Sequence, residues 1–331
     1  EVSTVTVAAA NPKGAAASQI FTVTVEPLPA WAQGSFVGFV ESEGLGAGSA
    51  SMSVTANGGV TGKLTLRGTN FSFSATSYAA RDAEGAFALQ ATATVSRVSL
   101  PLSFSLNVPE TLDTAAGVPL TLSKAEGTLG DDGRGTLYRI VWKDAGLPTV
   151  ATNFTGYYTA TLPGGSEYGS GYLTFTVDKS GSVKTAGKLA DGTSVSLSGT
   201  LILDEAGRVF AVLYTAPAAY KGGGLFGLAE LKRPEDGGPV FARCYDGSSF
   251  LWQNLSPQCT ATYGAGFARE TELSGGWYSK TDDLSAYFEG KSLMVGTDTN
   301  APLPELTVGA MRYDSVCWEP SGIVLTPTLK S

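Results

Sequence analysis

The chain has 331 residues, 42 of them glycine, and a formal charge of −8 from 22 basic and 30 acidic side chains. This length allows two or three domains, each with a core of ordinary size. The acidic balance and the absence of any Lys/Arg cluster argue against a nucleic-acid or anionic-membrane partner, because both attract clustered cations.

Histidine is absent, and this excludes Ser-His-Asp and Cys-His catalysis as well as His-ligated zinc. An enzyme built on this sequence would have to use carboxylates, tyrosine or lysine. The three cysteines contain no CxxC pair, so a zinc site of four cysteines is also excluded. We predict no cofactor and no metal. No apolar run of about 18 residues occurs, so we predict no membrane insertion by this segment.

Residues 1–28 begin with a hairpin pattern. Two alternating runs, Val2–Ala8 and Gln19–Val25, are joined by a turn that contains Pro12 and Gly14, which is typical of paired antiparallel strands. A two-stranded hairpin alone is marginally stable in water. We therefore expect it to pack on other structure.

Residues 29–150 and 151–236 are two copies of one β unit. Segment 34–73 returns in altered form at 156–197, with glycines and apolar positions in the same order. A repeat of this length indicates one structural unit used twice. The comparison pairs Gly34 with Gly156, Val54 with Val177, and Gly62-Lys63-Leu64 with Gly187-Lys188-Leu189.

Each copy consists of six to eight short alternating runs separated by Gly, Asp, Asn or Ser turns, the pattern of an antiparallel meander. Such strands have one apolar face and must hide their edges. The predicted fold is therefore all-β, with repeated meander units that form small barrels. β-Sandwiches are the alternative, since both architectures produce the same alternation.

Residues 237–331 follow a Pro/Gly linker and form a divergent β region. In one possible arrangement, this region completes the second barrel. All three cysteines lie here. In an oxidising compartment, Cys244 and Cys259 are the candidate disulfide, because their spacing closes a short loop. Pairing of Cys317 with either of them is the alternative.

A resemblance to a protein family rests on the first forty residues. The strand and turn VTVAAANPKG, the strand FTVTV and the junction PLPAWAQGSFVGF resemble large secreted bacterial surface proteins in which Ig-like modules precede Gly/Tyr-rich β repeats. The resemblance implies that residues 1–28 are the last hairpin of an Ig-like module. It also implies a secreted or cell-surface location and a longer parent chain.

Candidate functional residues are few. Adjacent acids such as Asp131-Asp132 and Asp204-Glu205 point to opposite faces of a strand or into solvent at a turn, so we predict no catalytic residue. The run Gly222–Gly227 matches GxGxxG but precedes a strand rather than a helix, which indicates a structural turn. The candidate ligand-binding residues are four aromatics that alternatively belong to the core, namely Trp252, Trp277, Tyr278 and Tyr287.

These observations predict a non-catalytic, secreted or cell-surface β-repeat module with a structural or ligand-binding role. The specific ligand-binding role that we predict is glycan binding or adhesion. The expected partner is a glycan or another surface protein. A carboxylate-based glycoside hydrolase is one alternative, and it would need two acids facing one cleft. A spacer between surface modules is the other.

Overall fold

A computed structural model describes residues 2–14, 16–24, 27–75, 87–95, 98–107, 110–113, 119–142, 151–163, 170–234, 237–256, 266–278, 292–293, 306–312, 315–319 and 323–325. Nearly all of their regular structure is β, which confirms the all-β prediction. Short 3-10 turns occur at Ala30–Ala32, Ala218–Tyr220 and Tyr245–Gly247. Within the described residues, no helix is long and apolar enough to cross a bilayer. The chain divides into two compact units, residues 1–278 and 279–331.

The first unit begins with the predicted hairpin. Strands β1 (Val2–Ala10) and β2 (Ala16–Thr24) pair antiparallel along their whole length. Every hairpin residue whose side chain is described is exposed, and Ile20 reaches 67%. The packing partner that we expected for this hairpin is therefore not found among the described residues.

The first repeat folds into a closed antiparallel barrel of eight strands. The strands that follow β2 are β3 (Gly34–Ser42), β4 (Gly46–Val54), β5 (Val60–Leu66), β6 (Thr69–Ala75), β7 (Phe87–Val95), β8 (Val98–Leu106), the short pair β9 (Glu110–Asp113) and β10 (Pro119–Leu122), then β11 (Lys124–Leu129) and β12 (Gly133–Arg139). The barrel order is β11-β12-β3-β4-β5-β6-β7-β8, and β11 pairs with β8 to close it. Because the sheet closes on itself, the first repeat is a barrel and not a sandwich.

Strand β11 is not predicted by the local sequence pattern. Its residues, KAEGTL, include Lys, Glu and Gly, which are depleted in strands. Pairing with β8 on one side and β12 on the other overrides this local preference. Gly127 is needed where the strands approach, because a Cβ there would overlap the carbonyl oxygen of Ser103.

The second repeat forms a curled sheet together with part of the region after residue 237. Its strands are β13 (Gly156–Pro163), β14 (Ser170–Val177), β15 (Ser182–Lys188), β16 (Ser194–Leu203), β17 (Val209–Thr215), β18 (Gly224–Lys232), β19 (Phe241–Cys244), β20 (Phe250–Asn254), β21 (Phe267–Thr271) and β22 (Ser274–Tyr278). The order is β17-β16-β15-β14-β13-β22-β19-β18-β20-β21, and β17 also pairs with β18, which curls the sheet around its core.

The two repeats share their local structure. Gly34 pairs with Val54 between β3 and β4, as Gly156 pairs with Val177 between β13 and β14. Both glycines have a positive φ, 107° and 153°, a conformation that other residues adopt at a cost. The correspondence of these positions is the one that the sequence comparison aligned.

The barrel packs against the curled sheet through outward-facing apolar side chains. Phe210 of β17 is fully buried and meets the ring of Tyr138 edge-on, with 5.5 Å between ring centroids. Lys124 of the barrel forms an ion pair with Glu205 of the sheet at 3.2 Å. The apolar contact surface comprises Phe39, Tyr138, Ile140, Ile202, Phe210, Val212, Phe226, Leu228 and Tyr245.

The second unit, residues 279–331, contains a four-stranded antiparallel sheet in sequence order. Its strands are β23 (Ser292–Leu293), β24 (Leu306–Arg312), β25 (Ser315–Glu319) and β26 (Ile323–Leu325). Cys317 and Trp318 lie in β25.

Candidate functional site

Trp252, one of the predicted ligand-binding aromatics, lies in the core of the curled sheet. Its side chain is 3% exposed. The indole N–H donates a hydrogen bond to the hydroxyl of Tyr220 at 3.1 Å, and the ring meets Phe267 edge-on at 4.8 Å. In this position Trp252 stabilises the fold and presents no surface to a ligand.

Trp277 and Tyr278 lie on opposite sides of β22, since neighbouring strand residues alternate. Trp277 pairs with the buried Tyr158 and covers Gly156, whose Cβ would overlap the indole. It is nevertheless 44% exposed. Tyr278 lies beside Tyr157, with 6.1 Å between the ring centroids. The two residues therefore do not form one flat platform, and Tyr287 lies outside the described residues.

Cys244, half of the predicted disulfide, is a buried free thiol in the structure. Its Sγ accepts a hydrogen bond from the backbone N–H of Leu273 at 3.0 Å. Burial raises the pKa of the Cys244 thiol above its ordinary value, which disfavours the reactive thiolate. Cys259 lies outside the described residues, as does the side chain of Cys317, so the disulfide stays a prediction.

A continuous polar surface is formed by the outer face of strands β22, β13, β14, β15 and β16. The strands are adjacent and antiparallel in that order, and antiparallel registration places outward residues in rows across the strands, with neighbours in a row about 4.8 Å apart. One such row contains Thr161, Tyr172, Lys188 and Ser194. We call this surface the hydroxyl face; its polar side chains are those of Tyr157, Thr159, Thr161, Tyr172, Thr174, Thr176, Lys184, Lys188, Ser194, Ser196, Ser198, Ser274 and Tyr278, and the exposed Pro163 and Ala186 lie among them.

None of the side chains that define the hydroxyl face is a carboxylate, although the chain carries 30 acidic residues. The described acids at its turns accept hydrogen bonds from other groups. Asp178 accepts hydrogen bonds from Ser180 and from the backbone N–H of Ser182, and Asp191 accepts one from Tyr220. Lys184 and Lys188 are therefore the charged groups of the face itself, with Asp178 of the β14–β15 turn close enough to Lys184 for the two charges to interact, and the surface is polar and aromatic.

A smaller surface of the same kind occurs on the barrel. Lys63 lies between Ser51 and Ser72 in the registered row of β4, β5 and β6, and all three side chains are exposed. Strands β4 to β6 likewise contain no Asp or Glu. Lys63 and Lys188, which the sequence comparison paired, thus occupy the same outward position in the two repeats.

An open cleft of about 290 Å³ lies where the barrel meets the curled sheet. The barrel contributes its β3–β4 and β5–β6 turns, and the sheet contributes the start of β18 and part of β20. Much of this volume is open solvent, so the cleft is a shallow depression and not an enclosed ligand pocket. The lining residues are Gly46, Ala47, Arg67, Tyr214, Gly222, Gly223, Gly224, Phe226, Leu251 and Gln253.

Two cationic residues, one that lines the cleft and one next to it, have a strained backbone conformation. Arg67 has a φ of 47° in the two-residue β5–β6 turn, and Lys221, directly before the cleft glycines, has a φ of 53°. Such left-handed positions favour Gly, Asn or Asp, and other residues there often mark functional sites. Neither the Arg67 guanidinium nor the Lys221 ammonium forms an ion pair with a described residue.

Neutral donors complete the cleft. The hydroxyl oxygen of Tyr214 accepts the backbone N–H of Gly68 at 2.7 Å, which leaves its own proton for another acceptor. Burial raises the pKa of Tyr214 above its usual value, so this hydroxyl stays a donor at neutral pH. The side-chain amide of Gln253 is half-buried in the wall.

The glycines of the cleft are there for steric reasons. A Cβ on Gly223 would overlap the carbonyl oxygen of Gln253, and a Cβ on Gly224 would overlap that of Thr215. The strand that follows them, β18, agrees with the prediction of a structural turn rather than a dinucleotide-binding loop.

The buried acids of the described residues are bound to arginines. Asp204 is 2% exposed and accepts Nε of Arg208 at 2.7 Å and the hydroxyl of Tyr245 at 2.6 Å. Glu230 is equally buried and accepts hydrogen bonds from Nε and Nη2 of Arg243, each at 3.1 Å. Among the described residues, no group of three or more acids and cysteines could hold a metal ion.

Sequence reasoning missed both the hydroxyl face and the cleft. A signal for the face was present, because strands β13 to β16 alternate Ser, Thr, Tyr and Lys with apolar residues and lack acids. For Arg67, the signal was a two-residue turn, Arg67-Gly68, with arginine at a position where Asn or Asp is usual. No protein-family model, curated protein or solved structure matches the chain in comparisons with known proteins.

Proposed function

We infer that this chain is a non-catalytic glycan-binding module of a secreted or cell-surface protein, and that the hydroxyl face is its binding surface. The supporting observation is an exposed five-stranded face whose side chains are Thr, Ser, Tyr and Lys, without a carboxylate, in a chain of net charge −8. Sugars offer hydroxyls to such side chains and C–H groups to tyrosine rings.

The arrangement of the face favours an extended ligand. Tyr172 is 47% exposed at the centre of the row that contains Thr161 and Lys188. Hydroxyls lie on either side of it at strand spacing. A polysaccharide that crosses several strands would meet a ring and several hydrogen-bonding groups together, whereas a compact ligand would find no enclosure there.

A carboxylate-based glycoside hydrolase is the second candidate. It requires two acids across one cleft. No acid is among the described residues that line the cleft at Arg67, and the buried carboxylates of Asp204 and Glu230 each bind an arginine. These observations favour binding over hydrolysis. The resemblance to secreted bacterial surface proteins supports the extracellular location in the same proposal.

A glycan-array screen of the purified chain, with calcium and with chelator, tests the proposal. We expect reproducible binding to one class of polysaccharide. Tyr172→Ala should weaken it at least about tenfold, which corresponds to about 1.4 kcal/mol. Lys179→Ala, in the adjacent turn, is the matched control and should bind as the wild type does. An array without signal would contradict the proposal and favour the role of a spacer.

A further inference from the structure

We propose that the cleft between the barrel and the curled sheet binds the carboxylate of an acidic sugar residue, with Arg67 as its principal contact. The proposal rests on the glycan-binding function for the identity of the ligand, while its geometry is independent of the hydroxyl face. The cleft is formed by both repeats, and binding sites occur preferentially at such junctions.

The first argument is the unpaired charge. Arg67 projects from the β5–β6 turn beside Gly46 and Gly222, whose Cβ atoms would lie 3.7 Å and 3.6 Å from its side chain. No carboxylate is among the described residues that line the cleft. A guanidinium presents a planar pair of N–H groups that matches a carboxylate, so the cleft provides a cation without the anion that would complete it.

The second argument is the backbone. The left-handed conformation of Arg67 costs stability that Gly or Asn would not. Lys221, which directly precedes the cleft residue Gly222, has the same conformation. Two cations with this conformation at one cleft, each where a smaller residue would fit better, indicate that their charge is retained for a ligand.

The third argument is the complement of neutral groups. The Tyr214 hydroxyl and the Gln253 amide can bind ring hydroxyls, and Phe226 offers an apolar wall. The cleft is shallow and open to solvent, so it admits the carboxylate-bearing edge of one sugar and leaves the rest of the ligand outside. The expected ligand is therefore a single uronic-acid-type residue, either at a chain end or as one unit of an acidic polysaccharide.

Calorimetric titration with a tri-uronate oligosaccharide and with its fully methyl-esterified form tests the proposal. The ester preserves the sugar and removes the charge. We expect the wild type to bind the uronate at least about tenfold more tightly than the ester. Binding should weaken as salt is raised, because the site is open to solvent.

Arg67→Asn separates a binding role from a structural one, because asparagine suits the left-handed turn. We expect uronate affinity to fall at least about tenfold while the melting temperature stays equal or rises. The matched control, Lys13→Thr, removes one positive charge from the exposed β1–β2 turn, which contributes to neither proposed binding surface, and should change affinity less than about twofold. Equal effects of the two substitutions, or a lower melting temperature in Arg67→Asn, would overturn the proposal.

The two proposals fail differently. If the array and Tyr172→Ala identify a neutral glycan and the uronate binds no better than its ester, the cleft proposal is wrong and the glycan-binding function stands. If neither the array nor the uronate gives a signal, both are wrong. Uronate binding that Arg67→Asn abolishes and Tyr172→Ala preserves would support the cleft as a separate site.

Discussion

The indole nitrogen of Trp142 donates a hydrogen bond to the carbonyl oxygen of Leu201. Trp142 follows the last strand of the barrel, whereas Leu201 belongs to β16 of the curled sheet. The tryptophan is 2% exposed and belongs to the core of the sheet, with Val141 beside it. The segment that leaves one repeat is thus anchored in the core of the next.

Truncation of this anchor should be costly. Trp142→Ala is expected to lower the free energy of unfolding by about 3–5 kcal/mol, because it removes a large buried ring and its hydrogen bond. Urea unfolding followed by circular dichroism measures the change. Tyr172→Ala, at an exposed site, should cost less than about 1 kcal/mol. Similar losses in both variants would contradict the buried position of Trp142.

Gly181 and Gly192 test the same contact by steric means. Both glycines have a positive φ, 76° and 84°, so alanine has a similar backbone cost of about 1–2 kcal/mol at each. A Cβ on Gly181 would lie 2.7 Å from Cδ1 of Trp142, whereas one on Gly192 would have no atom within 4 Å. Gly181→Ala should therefore be the more destabilising in urea unfolding, and equal values would show that the ring does not lie there.

The cluster around Asp204 should also contribute to stability. Tyr245→Phe removes one of the donors to this buried carboxylate, and we expect a loss of about 1–2 kcal/mol. Tyr172→Phe removes an exposed hydroxyl and should change stability by less than about 0.5 kcal/mol. The comparison is made by urea unfolding at neutral pH. A Tyr245→Phe variant as stable as the wild type would contradict this, because it would mean that water replaces the hydroxyl at no cost in free energy.

Acid should remove the stability that the ionised Asp178 contributes through the β14–β15 turn. Hydrogen bonds from the Ser180 hydroxyl, and then from the backbone N–H groups of Ser182 and Ser180, lower the pKa of Asp178. A lowered folded pKa stabilises the protein above the unfolded value of about 3.9, and the stabilisation is lost as pH falls through the folded value. The stability difference between wild type and Asp178→Asn should shrink below about pH 4. A difference that does not change with pH would contradict this.

Alkali should destabilise the curled sheet through its buried tyrosines. Burial raises the pKa of Tyr158 to about 12, and burial also raises those of Tyr220 and Tyr245. A raised folded pKa stabilises the protein below the unfolded value of about 10, and the stabilisation is lost as pH rises through the folded value. Ultraviolet titration should show exposed tyrosines ionising first and buried ones only with unfolding. Ionisation of all 13 tyrosines near pH 10 in a folded protein would contradict this.

Much of the strand pattern is predictable because it is local. The alternation from Val60 to Leu66 predicts a strand with the bounds that β5 has, since alternation and flanking glycines mark a strand wherever it lies. The repeat by itself places Lys63 and Lys188 at equivalent positions, because the GKL tripeptide occurs in both copies. Strand β11 is not predictable from its own residues, because its extended conformation is stabilised by pairing with β8 and β12.

The burial of the aromatics is not predictable in the same way. Trp252 and Trp277 both lie in short alternating runs, yet one is in the core and the other is partly exposed. Alternation assigns a residue to one of two faces, and the curl of the sheet then decides which face is covered. The sequence could therefore identify these rings as candidate ligand-binding residues, but it could not show which of them is exposed.

The sequence alone determined the all-β class, the repeat and the acid-free strands, because these depend on composition and period-two patterning along the chain. Only the tertiary structure decided that the barrel closes, that Trp142 enters the second core, and that Arg67 lies beside Gly222. Each of these depends on the docking of segments that are distant in the chain, and the free energy of that docking is not encoded in any local pattern.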